Sequence, residues 1–252
     1  MKTKAILFDF GGTIDTGGVH WYEKFWKLYS DSGIVIDRNI FRDAFSYSEK
    51  QMHQRNNAHL SFFDTYFLKI SFQISYLKQF GMLSYIEDVE QFSANFALLC
   101  QSEVETHIGK ISELLSQLHS RYMMAIVSNY YGNLGLICKK FSIDKYFESI
   151  IDSAVAGVRK PDPGIFSLAL EQLNISPPNA YAIGDSYEKD IAPAKLAGCR
   201  TIWLRNKGWH NTEDASSADL VIHDLAEIKD ILLTQPQRAA VPSAGNNNIT
   251  GE

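Results

Sequence analysis

Apolar and polar positions along this chain follow two rhythms, and the changes between them divide it into parts. Short apolar runs, bounded by Gly, Asn or Asp, occur at residues 5–10 (interrupted near its end by Asp9), 123–128, 181–183 (leading into Gly184-Asp185) and 201–204, with a fifth at 220–222. Runs of this length predict strands of a parallel sheet buried on both faces. Between them the rhythm is helical. Ile108, Ile111, Leu114, Leu115 and Leu118 precede the second run; Ile165, Leu168, Ala169 and Leu173 precede the third, with Pro161 and Pro163 at their start. The alternation predicts an α/β fold, a doubly wound, Rossmann-like parallel sheet. Such sheets bind ligands at the carboxyl ends of their strands, near the switch in strand order. Asp9, Ser128 and Asp185 fall at those ends.

The alternation breaks between residues 16 and 105. Aromatic residues recur there at helical spacing: Trp21, Phe25, Leu28 and Tyr29; Phe41 and Phe45; Phe62, Phe63, Tyr66, Phe67 and Ile70. The pattern predicts amphipathic helices packed as a small helical domain inserted after the first strand, their rings forming its core. The expected division is therefore a core of residues 1–15 and 106–234 with a helical domain at 16–105. Residues 235–252 have no periodicity and little apolar content, and are expected to be a disordered tail.

Composition narrows the partners. Of 252 residues 45% are hydrophobic, enough for a core domain carrying a smaller one. The net charge of −5 and the absence of a clustered basic stretch argue against nucleic-acid or anionic-membrane partners. No stretch approaches the roughly 20 apolar residues of a membrane span, and the first apolar run is too short for a secretory signal. Cys100, Cys138 and Cys199 are odd in number and widely spaced, so they read as reduced, buried thiols. A soluble cytoplasmic protein is expected; its oligomeric state is not legible.

The candidate chemistry collects at the strand ends. Asp9 is followed by Phe10-Gly11-Gly12-Thr13, where glycines let backbone N–H groups approach an anion. Ser128 in Val127-Ser128-Asn129 offers a hydroxyl to a phosphoryl oxygen. Lys160, in Arg159-Lys160-Pro161-Asp162, can neutralise phosphate and keep Asp9 ionised. Gly184-Asp185-Ser186 adds a second carboxylate at the same edge, with Asp190 five positions on. Carboxylates clustered this way repel one another. A hard divalent cation relieves the repulsion, and an incomplete oxygen cage suits Mg²⁺.

In order and spacing, DFGGT, VSN, RKPD and GDSYEKD resemble the four motifs of the haloacid dehalogenase-like hydrolases, over roughly residues 4 to 208. The helical segment is similar to that family's cap inserted after the first motif. The resemblance implies that Asp9 is the nucleophile forming an aspartyl-phosphate, that Ser128 supplies the second-motif hydroxyl and that Lys160 is the third-motif cation. It implies Mg²⁺ held by Asp9, the Gly11 carbonyl, Asp185 and Asp190. Gly12, Thr13 and Asn129 are then expected on the substrate, a small phosphorylated molecule.

One position departs from the pattern. The family's phosphatases carry a second Asp two residues after the nucleophile, which protonates the leaving oxygen and then activates water. Here that position is Gly11, and losing a general acid/base typically lowers a rate by about 10²–10⁴. Three outcomes stay open. Hydrolysis persists through a good leaving group, water or a cap residue such as His20 or Glu23; Asp15 is not expected to reach back. Alternatively the bond cleaved is carbon–phosphorus, through Lys24, Lys27, Lys50 or Lys69, or carbon–halogen, which Asp185 argues against. In the third outcome the protein binds a phosphorylated ligand or a protein and turns over little.

Overall fold

The computed structural model describes residues 4–206 and 217–234. The expected tail at 235–252 lies outside the described residues. Six parallel strands form one sheet: β1 (Ala5–Phe8), β2 (Met123–Ser128), β3 (Ser149–Asp152), β4 (Ala180–Gly184), β5 (Arg200–Leu204) and β6 (Leu220–Ile222), in the order β3-β2-β1-β4-β5-β6. The chain builds outward from β1 to β3, then crosses to β4 and builds the other half. The switch point therefore lies between β1 and β4.

Alternate residues of each strand face opposite ways. On one face, Ala5, Leu7, Ala125, Val127 and Ala182 pack against Ile165, Phe166, Ala169 and Leu173 of α7 (Gly164–Leu173). On the other, Ile6, Phe8, Met124, Ile126 and Ile183 pack in one cluster with Ile108, Ile111, Leu115 and Leu118. The strand β3 is not among the predicted runs. Its run holds only Ile150 and Ile151 between Ser149 and Asp152, and it is a strand because it pairs with β2 from Ala125↔Ser149 to Ser128↔Asp152.

Four helices separate β1 from β2: α1 (Trp21–Asp31), α2 (Arg38–His53), α3 (Phe62–Gln79) and α4 (Val89–His119). Their starts are written in the sequence. Asp37 accepts from Asn39 N and Ile40 N, Ser61 forms a capping box with Asp64, and Asp88 accepts from Gln91 N. Trp21, Phe25, Tyr29, Phe41, Phe45, Phe62, Tyr66 and Ile70 are buried, while Leu28, Phe63 and Phe67 are half-buried against them. The α4 helix runs 31 residues without a break. Its last turns pack on the sheet, so the aromatic core of the insertion and one face of the sheet form one apolar cluster. Short helices α5 (Leu134–Lys140), α6 (Ser153–Ala156) and α8 (Ala192–Leu196) complete the connections. The three cysteines are free and buried. Among the described residues no helix is long and apolar enough to cross a membrane.

Candidate active site

Strand register assembles the site. Phe8 pairs with Ile126 on β2 and with Ile183 on β4, so Asp9 emerges beside the end of both neighbours. Its amide donates to Ile183 O at 2.8 Å, which fixes the backbone as the side chain leaves the sheet. Ser128 closes β2, and Asp185 follows β4 by one residue.

Five side chains meet there, all nearly buried: Asp9, Ser128, Lys160, Asp185 and Asp190. Ser128 Oγ donates to Asp9 Oδ1 at 3.0 Å, and Lys160 Nζ donates to the same oxygen at 2.6 Å. Lys160 also reaches Asp190 Oδ1 at 2.5 Å, and Ser186 N donates to Asp190 Oδ2 at 2.9 Å. Asp9 Oδ2 is buried and has no hydrogen-bond partner among the described residues. One Asp9 oxygen is therefore held while the other stays uncommitted.

Two glycines permit this crowding. A Cβ on Gly12, whose φ is +102°, would lie 2.6 Å from the Asp185 carboxylate, and one on Gly184 would lie 2.3 Å from Asp190. Neither position tolerates a side chain without displacing an acid. Gly11 differs: a Cβ there would meet nothing within 4 Å.

Charge is unbalanced. Asp9, Asp185 and Asp190 bring ligand oxygens within 4.8 Å of one another, against the single ammonium of Lys160. Burial, then the charges of Asp190 and Asp9, push the Asp185 carboxyl well above its usual range. Burial also raises Asp190, to about 6, despite the opposing pull of Lys160. Lys160 itself would be lowered by burial, but Asp190 and Asp9 outweigh that and hold it protonated. Buried carboxylates short of one or two positive charges, with oxygen-only donors, fit a hard divalent cation.

The other sequence candidates are close by in different ways. Asn129 lines the cleft, yet its amide clamps the Lys160 backbone: Nδ2 donates to Lys160 O and Oδ1 accepts from Lys160 N, both at 2.9 Å. Thr13 Oγ1 lies 3.4 Å from Asp185 Oδ1, and Gly12 N donates to Asp15 Oδ1 at 2.7 Å. Both oxygens of Asp15 are engaged, the second by Trp21 Nε1 at 2.6 Å. His20 caps α1, accepting from Tyr22 N through Nδ1, and lines the same cleft as Asp9 and Gly11. Burial, then Lys189, lowers its pKa to about 4, so the ring is neutral at pH 7 with its proton on Nε2. Glu23 instead pairs with Arg38 away from the cleft lining.

The cleft above Asp9 measures about 440 Å³ and is walled by helices of the insertion. Glu49 and His53, one turn apart on α2, and Tyr131, after β2, also line it; nothing in the sequence near either segment marks that they meet. Of the four lysines considered for a carbon–phosphorus lyase role, Lys69 alone is among the residues lining the cleft; Lys24 pairs with Glu103 and Lys27 with Asp31.

A family profile for haloacid dehalogenase-like hydrolases matches residues 3–198. The chain belongs to the haloacid dehalogenase-like hydrolases. Two relatives match in part: a phosphoserine phosphatase of Thermus thermophilus, 35% identical over 83 residues, and a glyceraldehyde 3-phosphate phosphatase of Pyrococcus furiosus, 34% identical over 95. These matches cover 33% and 37% of this chain, and only 33% and 40% of the relatives' own length. Solved structures share the fold. The HAD-hydrolase YfnB of Bacillus subtilis, determined bound to magnesium, aligns over 92% of this chain and 100% of its own with a TM-score of 0.54 at 17% identity. An L-2-haloacid dehalogenase of Xanthobacter autotrophicus aligns over 92% and 99% with a TM-score of 0.56 at 15% identity.

Proposed function

We propose that this protein is a Mg²⁺-dependent phosphatase of small phosphorylated metabolites, working through an aspartyl-phosphate at Asp9, with slow turnover of poor leaving groups. The observation that carries it is the state of the Asp9 carboxylate: Oδ1 is held by Ser128 and Lys160, and Oδ2 is uncommitted. A carboxylate so oriented can present Oδ2 in line to a phosphorus while Lys160 and Ser128 bind the non-bridging oxygens. Asp9, Asp185, Asp190 and the Gly11 carbonyl would hold the cation, which supplies charge neutralisation for the phosphoryl group and the carboxylates. Gly12 and Thr13 shape the turn, and Asn129 fixes the Lys160 backbone beside the substrate. The matching segments of relatives named as phosphatases support the same reaction class. Residues 16–105 act as the cap over this core.

Of the two cap residues considered in place of the acid that Gly11 lacks, His20 lines the cleft as a neutral ring and Glu23 does not. Lys69 does not favour carbon–phosphorus cleavage through an imine, because its Nζ is paired with Glu49 and bonded to Tyr131.

Turnover of p-nitrophenyl phosphate with and without Mg²⁺ tests the reading. Metal-dependent hydrolysis that Asp9→Asn abolishes is expected. No turnover of this ester or of a broad panel of phosphate esters would instead favour a protein that binds a phosphorylated ligand without consuming it.

A further inference from the structure

The cleft carries a second ion pair besides that of Lys160, between a buried lysine and a half-buried glutamate. Lys69 of α3, 3% exposed, lies 2.7 Å from Glu49 Oε1 of α2 and donates a 3.0 Å hydrogen bond to Tyr131 Oη in the loop after β2. Tyr131 in turn donates to Glu49 Oε2 at 2.6 Å. The rings of Phe25, Phe45, Tyr66 and Tyr131 surround the ammonium at 5.2–5.7 Å. Glu49 Oε1 is buried, and among the described residues its polar contact is the Lys69 ammonium, which leaves a lone pair over.

Stability gives this arrangement no reason. Taking the Lys69 ammonium and part of the Glu49 carboxylate out of water offsets much of their attraction, and apolar residues of the same volume are often as stable. The aromatic surroundings would accept such a replacement. What the pair adds is a donor and an under-used acceptor side by side in the cleft that holds Asp9.

We infer that Lys69, Glu49 and Tyr131 read the substrate's leaving group and select an uncharged, hydroxyl-bearing one, as in a sugar or polyol phosphate. The inference rests on the phosphatase reading. A zwitterionic leaving group would have to pull Lys69 and Glu49 apart in a low-dielectric site to pair with each. A hydroxyl does not, because it accepts from Nζ while donating to Oε1. An apolar or aryl group adds no hydrogen bond to either ion. The ring walls suit the C–H faces of a sugar.

The test compares glucose 6-phosphate, glycerol phosphate, phosphoserine and p-nitrophenyl phosphate on the full chain with Mg²⁺, in wild type, Glu49→Gln, Tyr131→Phe and Asp9→Asn. Among the three alkyl esters, wild type should have its highest kcat/KM on a sugar or polyol ester. Glu49→Gln should lower the sugar-to-aryl ratio of kcat/KM by about 10–100-fold, mainly through KM, as for a lost hydrogen bond to a charged group. Tyr131→Phe should lower it by about 3–10-fold, and it serves if Glu49→Gln does not fold. Preference for phosphoserine, or a ratio moved by neither variant, overturns the inference and leaves the phosphatase reading intact. Absence of Asp9-dependent turnover on all four esters overturns the phosphatase reading instead. Selection is then read by thermal shift with the same esters, where equal stabilisation by glucose 6-phosphate and phosphoserine overturns the inference as well.

Discussion

Trp21 Nε1 donates a 2.6 Å hydrogen bond to Asp15 Oδ2, so a buried carboxylate six residues past Asp9 fastens the turn after β1 to the first helix of the insertion. The other oxygen of Asp15 takes the Gly12 amide, whose glycine lies against Asp185. Burial raises the Asp15 pKa to about 7, against the pull of the Gly12 and Trp21 donors. Asp15→Ala strands two buried donors, each at a penalty of about 1–3 kcal/mol. Urea unfolding should show a loss of roughly 2–5 kcal/mol. Trp21→Phe, which keeps the Gly12 contact, should lose less in hydrogen bonding. Equal stability of Asp15→Ala and wild type would refute the fastening role.

Gly11 has room for a side chain and an ordinary backbone, φ −77° and ψ 106°. Gly11→Asp should therefore fold and bring a carboxylic acid to the leaving-group side of Asp9. General acid catalysis supplies about 10²–10⁴ in rate, so a rise of at least tenfold in kcat is expected for alkyl phosphates, which need protonation most. Esters with good leaving groups should gain less. A fall in rate on both classes would mean the cleft uses another proton path.

Gly12 has no such latitude. Gly12→Ala puts a methyl group 2.6 Å from the Asp185 carboxylate at a φ of +102°, so the acid must move. Mg²⁺ titration calorimetry should show affinity falling at least tenfold, with activity falling alongside it. Unchanged affinity would remove Asp185 from the metal set.

His20 makes stability depend on pH with a definite sign. Its pKa is about 4 in the fold and about 6.5 when unfolded. Between those values the unfolded chain binds a proton that the folded chain refuses. The contribution is therefore complete above pH 6.5 and is lost as pH falls towards 4. His20→Asn keeps a side-chain acceptor for Tyr22 N and removes the titration. Measured from pH 7 to pH 4.5, wild type should lose on the order of 1–3 kcal/mol more than this variant. Parallel curves would show that His20 protonates freely in the fold.

Much of the molecule was legible before folding was considered. Five apolar runs, the helical repeats at Ile108–Leu118 spacing and the aromatic stripes name their elements because burial on two faces or one stripe leaves a period in the chain. Asp9, Ser128 and Asp185 could be placed together because a parallel sheet sends the carboxyl ends of its strands to one edge. Tertiary structure decided what has no period. Ser149–Asp152 is a strand only through its pairing with β2, and α4 continues through residue 105 because its two ends share one apolar cluster. Asn129 clamps Lys160 across 31 residues, and Lys69, Glu49 and Tyr131 meet from two helices and a loop. Long-range polar partners depend on where elements dock, and no local spacing encodes that.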